Sequence, residues 1–216
     1  QSFLTGVNSA YNFIDLDGSN EHVSVSDSSS LQITGDMAIS AWIKPTGTTS
    51  FRSIIMKRDS GGDNYTFYLS NDATPKLRFF DGSTPTSSTG TITKDEWQHV
   101  AISINSGVTD GSVFYINGVA SGTATFTITA DDAPVNIGKH ETDNTYFNGD
   151  MGQIALWNKS LSASEISAIS TAGRHSNLLN SYSDNLVGYW AMGALDAKTG
   201  LSDVGDGTIY DRSGNS

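Results

Sequence analysis

The stretch that decides the fold is SVFYINGVASG, residues 112–122. Two runs rich in β-branched and aromatic residues flank Asn117-Gly118, and a two-residue type I′ turn needs positive φ at both central positions, which Asn and Gly tolerate. The reading is a tight antiparallel hairpin. Working outward, MAISAWIKP (37–45) sets Met37, Ile39, Ala41 and Ile43 on one face and ends at Pro45. RSIIMKR, NYTFYLS, KLRFFDG and WQHVAISI follow at the spacing of a meander, and ATFTITA and PVNIG add two strands. FIDLDGSNEHVSVSD (13–27) reads as a strand, a Gly-containing loop and a second strand.

One segment breaks the β pattern. In SLSASEISAISTAGR (160–174), Ser162 and Glu165 have capping-box spacing, Leu161 and Ile166 suit a hydrophobic staple, and Gly173 supplies a stop. A short helix near 162–172 is expected to seal one end of a β-sandwich with Leu161, Ile166 and Ile169.

Composition agrees with many short strands joined by polar turns: 22 glycines stand against 4 prolines in 216 residues. The chain is long enough for one all-β domain with a sizeable core. No apolar run approaches the length of a membrane span. A first residue of Gln rather than Met reads as a processed or excised piece. The absence of cysteine removes disulfides and thiolate metal sites without fixing the compartment. A net charge of −11 with 12 scattered basic residues argues against nucleic-acid binding.

The order of DLDGSNEHVSV, MAISAWIKP, DEWQHVAISI, VFYINGVAS, VNIGK, YFNGDMGQIALWNKSLSASEI and LVGYWAMG…GTIYDRSGN resembles the laminin-G-like jelly rolls of the concanavalin A-like lectin/glucanase superfamily, in the branch that also looks like the pentraxins. The resemblance implies an all-β, two-sheet antiparallel jelly-roll sandwich. In that family a strand of the LVGYW type comes first, whereas here it comes last. We therefore expect a domain over 1–192 that includes a permuted closing strand at 186–192. The Gly/Asp-rich tail 193–216 is expected to be a linker or the start of a following repeat.

The resemblance also implies sites. The pentraxin pattern places calcium on Asp63 and Asn64 of the SIIMKRDSGGDNYTFYLS loop, with Glu141 and Asp143 from GKHETDNTYFNGDMG. Calcium prefers six to eight oxygens and suits carboxylates and amides gathered from two loops. The alternative is that Asp63 and Asn64 build a turn and Glu141 is solvated. A second, structural calcium is expected at Asp17 and Asp150, against an alternative in which Asp150 caps its own turn.

Tyr65, Tyr68 and Tyr146, with Asn144, are the ligand-contacting candidates, because exposed rings stack on sugar faces. Phe67 and Phe79 are expected in the core, as are Trp42, Trp97, Trp157 and Trp190. His22, His99, His140 and His175 lack metal-ligand spacing, and no G-x-S-x-G turn accompanies them. Asp15 and Asp17 share a strand face, but the E-x-D-x-x-E or E-x-D-x-E strand of glucanases with this fold is absent.

The expected function is a non-catalytic carbohydrate-binding or adhesion module, calcium-assisted, in an extracellular, cell-surface or virion-surface protein. Its partners would be a glycan or other surface polymer and neighbouring domains, without nucleic acid or membrane insertion, and with self-association left open. A structural or oligomerising domain of a phage or bacterial surface assembly is the first alternative. A glycoside hydrolase or polysaccharide lyase is the second.

Overall fold

The computed structural model describes residues 13–47, 51–58, 63–140, 145–192 and 209–214, with Asp63 and Asn64 described through the backbone alone. Seven strands form one antiparallel sheet in the order β1 (Ile14–Asp17), β14 (Asn148–Trp157), β3 (Met37–Pro45), β8 (Gln98–Ile104), β9 (Ser112–Ile116) and β10 (Val119–Ala124), with β15 (Leu186–Trp190) also on β14. Six form the other, in the order β2 (Val23–Val25), β11 (Val135–Ile137), β4 (Arg52–Arg58), β5 (Asp63–Leu69), β6 (Leu77–Phe80) and β7 (Thr86–Ser87). A ribbon of β12 (Lys139–His140) and β13 (Thr145–Tyr146) leads from β11 into β14. This is the jelly-roll sandwich expected.

The deciding hairpin forms as read. Asn117 and Gly118 have φ of 51° and 77°, the turn requirement stated above. Asn117 also ties the turn to β8: its backbone N–H donates to His99 O at 2.7 Å and its Oδ1 accepts the His99 N–H at 2.9 Å. Beyond the turn, β10 carries a bulge between Ala120 and Thr123, with Gly122 at φ 106°. There the loop after β7 closes on it, Thr89 N donating to Ser121 O at 2.8 Å and Gly90 N to Ser121 Oγ at 2.9 Å.

Side-chain alternation builds the core between the sheets. Ile39, Ile43, Val100, Ile102 and Met151 meet Tyr65, Phe67, Phe79 and Val135 from the opposite sheet, each essentially buried. At about 1.5–3 kcal/mol for each large apolar side chain removed from water, this layer supplies most of the driving force. Phe67 and Phe79 are core residues, as expected.

The helix α1 (Ala163–Ala172) has its full capping box: Ser162 Oγ accepts from Glu165 N at 3.3 Å, and Ser162 N donates to Glu165 Oε2 at 2.7 Å. The Ser162 N–H and the Ser162 hydroxyl, the latter at 2.8 Å, both donate to the Glu165 carboxylate and hold it below its ordinary range. The helix does not seal an end of the sandwich. It lies on the outer face of the seven-stranded sheet, where Ile166 and Ile169 pack with Trp157, Tyr115 and Leu161 over Ala38, Ala101 and Ala155. Those three alanines face outward, and their small side chains let a helix approach the sheet. Ser103 fixes its entry, its Oγ donating to Leu161 O at 2.7 Å and accepting Leu161 N at 2.9 Å.

β15 is buried throughout and pairs with the second half of β14, while β1 pairs with the first half, so both share one edge of that strand. Residues 209–214 return to the same edge. Asp211 Oδ1 accepts the Tyr189 N–H, Arg212 N donates to Tyr189 O, both at 2.8 Å, and Ile209 packs against the core.

Candidate functional site

The outer face of the six-stranded sheet carries no helix among the described residues. Alternation turns Tyr68, Arg78 and Phe80 onto it, since Leu69, Leu77 and Phe79 belong to the core. The Arg58 guanidinium lies 4.9 Å from the Phe80 ring centroid and the Arg78 guanidinium 5.7 Å from that of Tyr68. Arg58, Arg78 and Phe80 are each half-buried. The face therefore offers guanidinium donors beside an aromatic ring.

The tyrosine expectations need correction. Tyr65 is 0% exposed, because residues 65, 67 and 69 share one parity and all three point into the core. Its hydroxyl has no hydrogen-bond partner among the described residues. Burial first, then the charges of Asp27 and Asp131, raise its pKa. Tyr68 does face outward, but it is 6% exposed. Phe51 and His140 pack edge-on to it at 5.7 and 5.8 Å, and Arg78 lies over it. Neither ring is free to stack on a sugar. Tyr146, half-buried, sits opposite Lys139 with its ring 5.9 Å from that of His22. Asn144 lies outside the described residues.

The side chains of Asp63 and Asn64, and Glu141 and Asp143 altogether, also lie outside the described residues. The strands that carry the two loops are described. Asp63 pairs with Arg58 at the end of β4. β11 runs antiparallel to β4, Val135 opposite Lys57 and Ile137 opposite Ile55, so the chain reaches His140 at the start of β4. There Thr145 Oγ1 donates to Phe51 O at 2.8 Å and the His140 ring stacks 6.2 Å from that of Phe51. At roughly 3.3 Å per residue these two described ends of β4 are about 20 Å apart.

The second metal pair, Asp17 and Asp150, is described, and its geometry does not gather an ion. Asp17 stands opposite Asn148 and Asp150 opposite Asp15. Asp17 is exposed and forms a turn, accepting Ser19 N at 2.8 Å, and Asp150 is bound by Lys44 Nζ at 3.3 Å. Burial pushes the Asp150 carboxyl up, Lys44 opposes this, and Asp15 adds to it. An ion here would compete with an ammonium already in place. Among the described residues no three His, Asp or Glu side chains converge as metal ligands.

Two of the four tryptophans depart from expectation. Trp157 and Trp190 are core, but Trp42 and Trp97 are half-buried on the outer face of the seven-stranded sheet. Periodicity shows that Trp42 opposes Ile43 in facing, yet not that its face is open to solvent.

Several solved structures share this architecture. Domain 4 of the extracellular arabinanase AbnA from Geobacillus stearothermophilus, determined with arabinotriose, is 20% identical, with 73% of this chain and 76% of that one covered at a TM-score of 0.59. The heptameric SAP-like pentraxin of Limulus polyphemus is 19% identical over 70% and 82%, at 0.53. A Bacteroides ovatus protein described as carbohydrate-binding is 17% identical over 92% of this chain and 55% of its own, at 0.69. No curated protein matches the chain. These likenesses share the fold. The family model for the laminin-G type of jelly roll matches residues 17–167, and the chain therefore belongs to the concanavalin A-like lectin/glucanases superfamily.

Proposed function

We propose that this domain is a non-catalytic carbohydrate-binding or adhesion module of an extracellular or virion-surface protein. The observation that carries the reading is the outer face of the six-stranded sheet, where half-buried Phe80 lies beside the Arg58 and Arg78 guanidinium groups. A ring face buries the apolar side of a sugar while charged donors bind its hydroxyls. The carbohydrate-linked relatives support the reading by fold alone. The calcium implied by the family resemblance, on Asp63, Asn64, Glu141 and Asp143, is part of this reading.

The assembly alternative asks for a contiguous apolar patch. Among the described residues the large exposed apolar side chains are Val108 and Val119, before and after β9 at its opposite ends. The enzyme alternative asks for two carboxylates with different protonation. Asp15 and Asp150 face each other in register, but Lys44 holds Asp150. The test is a glycan array probed in millimolar-scale calcium and again in chelator, with wild type and Phe80→Ala. Binding reduced at least tenfold by Phe80→Ala supports the sheet face. Binding lost in chelator adds the calcium contribution, and silence of the wild type in both buffers overturns the reading.

A further inference from the structure

The connection between β2 and β3 is pinned to the core by Leu31 and Ile33, which are 2% and 5% exposed. Leu31 N donates to Ser28 O at 3.0 Å and turns the chain just before them. Between and beyond these anchors, Gln32 and Thr34 face away from the core. With Ser29, Asp36 and Asn158, the residue that follows β14, they line an open cleft of about 320 Å³ at one end of the sandwich. Ser29, Thr34, Asp36 and Asn158 are exposed and Gln32 is half-buried, so the cleft is reached directly from solvent.

Three of the lining side chains are held by the protein through one polar atom and keep a second one unused. Gln32 Nε2 donates to Asp27 Oδ2 at 2.5 Å. A carboxylate only accepts, so this bond fixes which end of the amide is the nitrogen and leaves Oε1 as an acceptor. Asp27 is in turn held by the fully buried Lys57 ammonium, and the amide is locked. Asp36 Oδ1 accepts the Ser106 N–H at 2.9 Å, leaving Oδ2. Asn158 Oδ1 accepts from Asn185 Nδ2 at 2.9 Å and its backbone N–H donates to Asn185 O at 3.0 Å, leaving Nδ2. Gln32 Oε1, Asp36 Oδ2 and Asn158 Nδ2 have no protein partner among the described residues. Side chains already fixed in this way cost a ligand little ordering entropy. We propose that this cleft is a ligand site for one neutral polyhydroxylated ring, a single sugar unit, with Gln32, Asp36 and Asn158 as its fixed hydrogen-bonding groups.

The lining selects that class. Gln32 Oε1 and Asp36 Oδ2 accept, Asn158 Nδ2 donates, and the Ser29 and Thr34 hydroxyls do both. Neighbouring hydroxyls on one ring donate and accept at once and match them all. An anion finds no Lys, Arg or His in the lining and meets Asp36 instead. A cation only donates, so Asn158 Nδ2 stays unmatched, and a hard metal ion gathers more oxygens than one lining carboxylate brings. An apolar ligand would meet only the covered Ile33 side chain. The volume stands at the lower end of the roughly 300–1,000 Å³ of ligand clefts, which suits one ring better than a chain. None of these residues belongs to the Phe80 face, and the two sites stand or fall separately.

The test is a two-dimensional amide NMR titration of the full chain with glucose, galactose, mannose, arabinose and N-acetylglucosamine. Each is taken to roughly 100 mM, enough to fill a site of millimolar affinity. The expected result is a saturable shift of the Gln32 and Asn158 side-chain amides and of the Gly35 backbone amide by at least one sugar. Gly35 also lines the cleft, and a Cβ added there has nothing within 4 Å. Gly35→Leu therefore fills the cleft without crowding the fold and should abolish the shifts while the four tryptophan indole signals keep their positions. Asn158→Ala should weaken the titration roughly fivefold by removing one donor. Phe80→Ala should leave it unchanged, so failure of the sheet face and failure of the cleft are read apart. No saturable shift with any of the five sugars, a titration indifferent to Gly35→Leu, or one abolished by Phe80→Ala overturns the proposal.

Discussion

The single residue with the most to say about acid stability is His99. Its imidazole is fully buried on the sheet surface and burial pushes its pKa down to about 3, against an ordinary 6.5. The unfolded chain therefore binds a proton that the folded one refuses between those values. The stability it reflects is whole above pH 6.5 and is lost progressively as pH falls toward 3. The urea midpoint is expected to fall on acidification from pH 7 to 4, and His99→Gln should flatten that slope. Asp27 acts in a lower window. Burial raises its carboxyl, but hydrogen bonds from Lys57 and Gln32 and the Lys57 charge outweigh this and lower it below 3.8, so its contribution is lost only beneath that value. Lys57 itself is 0% exposed and donates to Asp27 Oδ1 and Ala133 O. Lys57→Met should cost about 2 kcal/mol by denaturant titration, below the roughly 3–5 typical of pairs buried on both sides, because Asp27 is 25% exposed and rehydrates. Parity along NYTFYLS is enough to place Tyr65 beside Phe67 in the core, which rules out sugar stacking by its ring. Burial of Tyr68 was not legible, since Phe51 and His140 reach it from other strands.

At the scale of elements, local chemistry was most legible where the signal is short-range. Asn117-Gly118 and the Ser162/Glu165 box both form as their spacing requires. The helix docking surface was not legible, because it depends on Ala38, Ala101 and Ala155 lining up across three strands. Gly118 shows how the two meet: a Cβ there would lie 3.1 Å from Ser170 Cβ and 3.2 Å from Ser167 Cα of the helix. Gly149 is more constrained. At φ 128°, an added Cβ would fall 2.2 Å from Lys44 O and 2.8 Å from Thr46 N, backbone atoms of the neighbouring strand and its exit. Gly149→Ala is expected to lower stability by about 3 kcal/mol or more, the scale of overpacking plus a strained backbone. Gly35→Ala, with nothing within 4 Å of its added Cβ, should stay within about 0.5 kcal/mol in the same melts.

For the whole molecule, the sandwich and its family were readable from the order of the segments, whereas the return of the chain end was not. The bonds between Asp211, Arg212 and Tyr189 join positions 22 and 23 residues apart through a Gly/Asp-rich stretch with no local periodicity. Truncation after Met192 should leave the fold intact and lower its stability by about 1–3 kcal/mol, in line with a few lost hydrogen bonds and the packing of Ile209. Hydrogen exchange at the Tyr189 amide reads this directly, with strong loss of protection expected. The bulge in β10 bears on another property of the molecule. Thr89 and Gly90 already occupy Ser121 on that border strand. β2 and β7 are three and two residues long, and residues 211–212 occupy β15. Among the described strands, these sheet edges leave an incoming strand few open amides to template on, and little edge-to-edge association through them is expected even when many copies are crowded together.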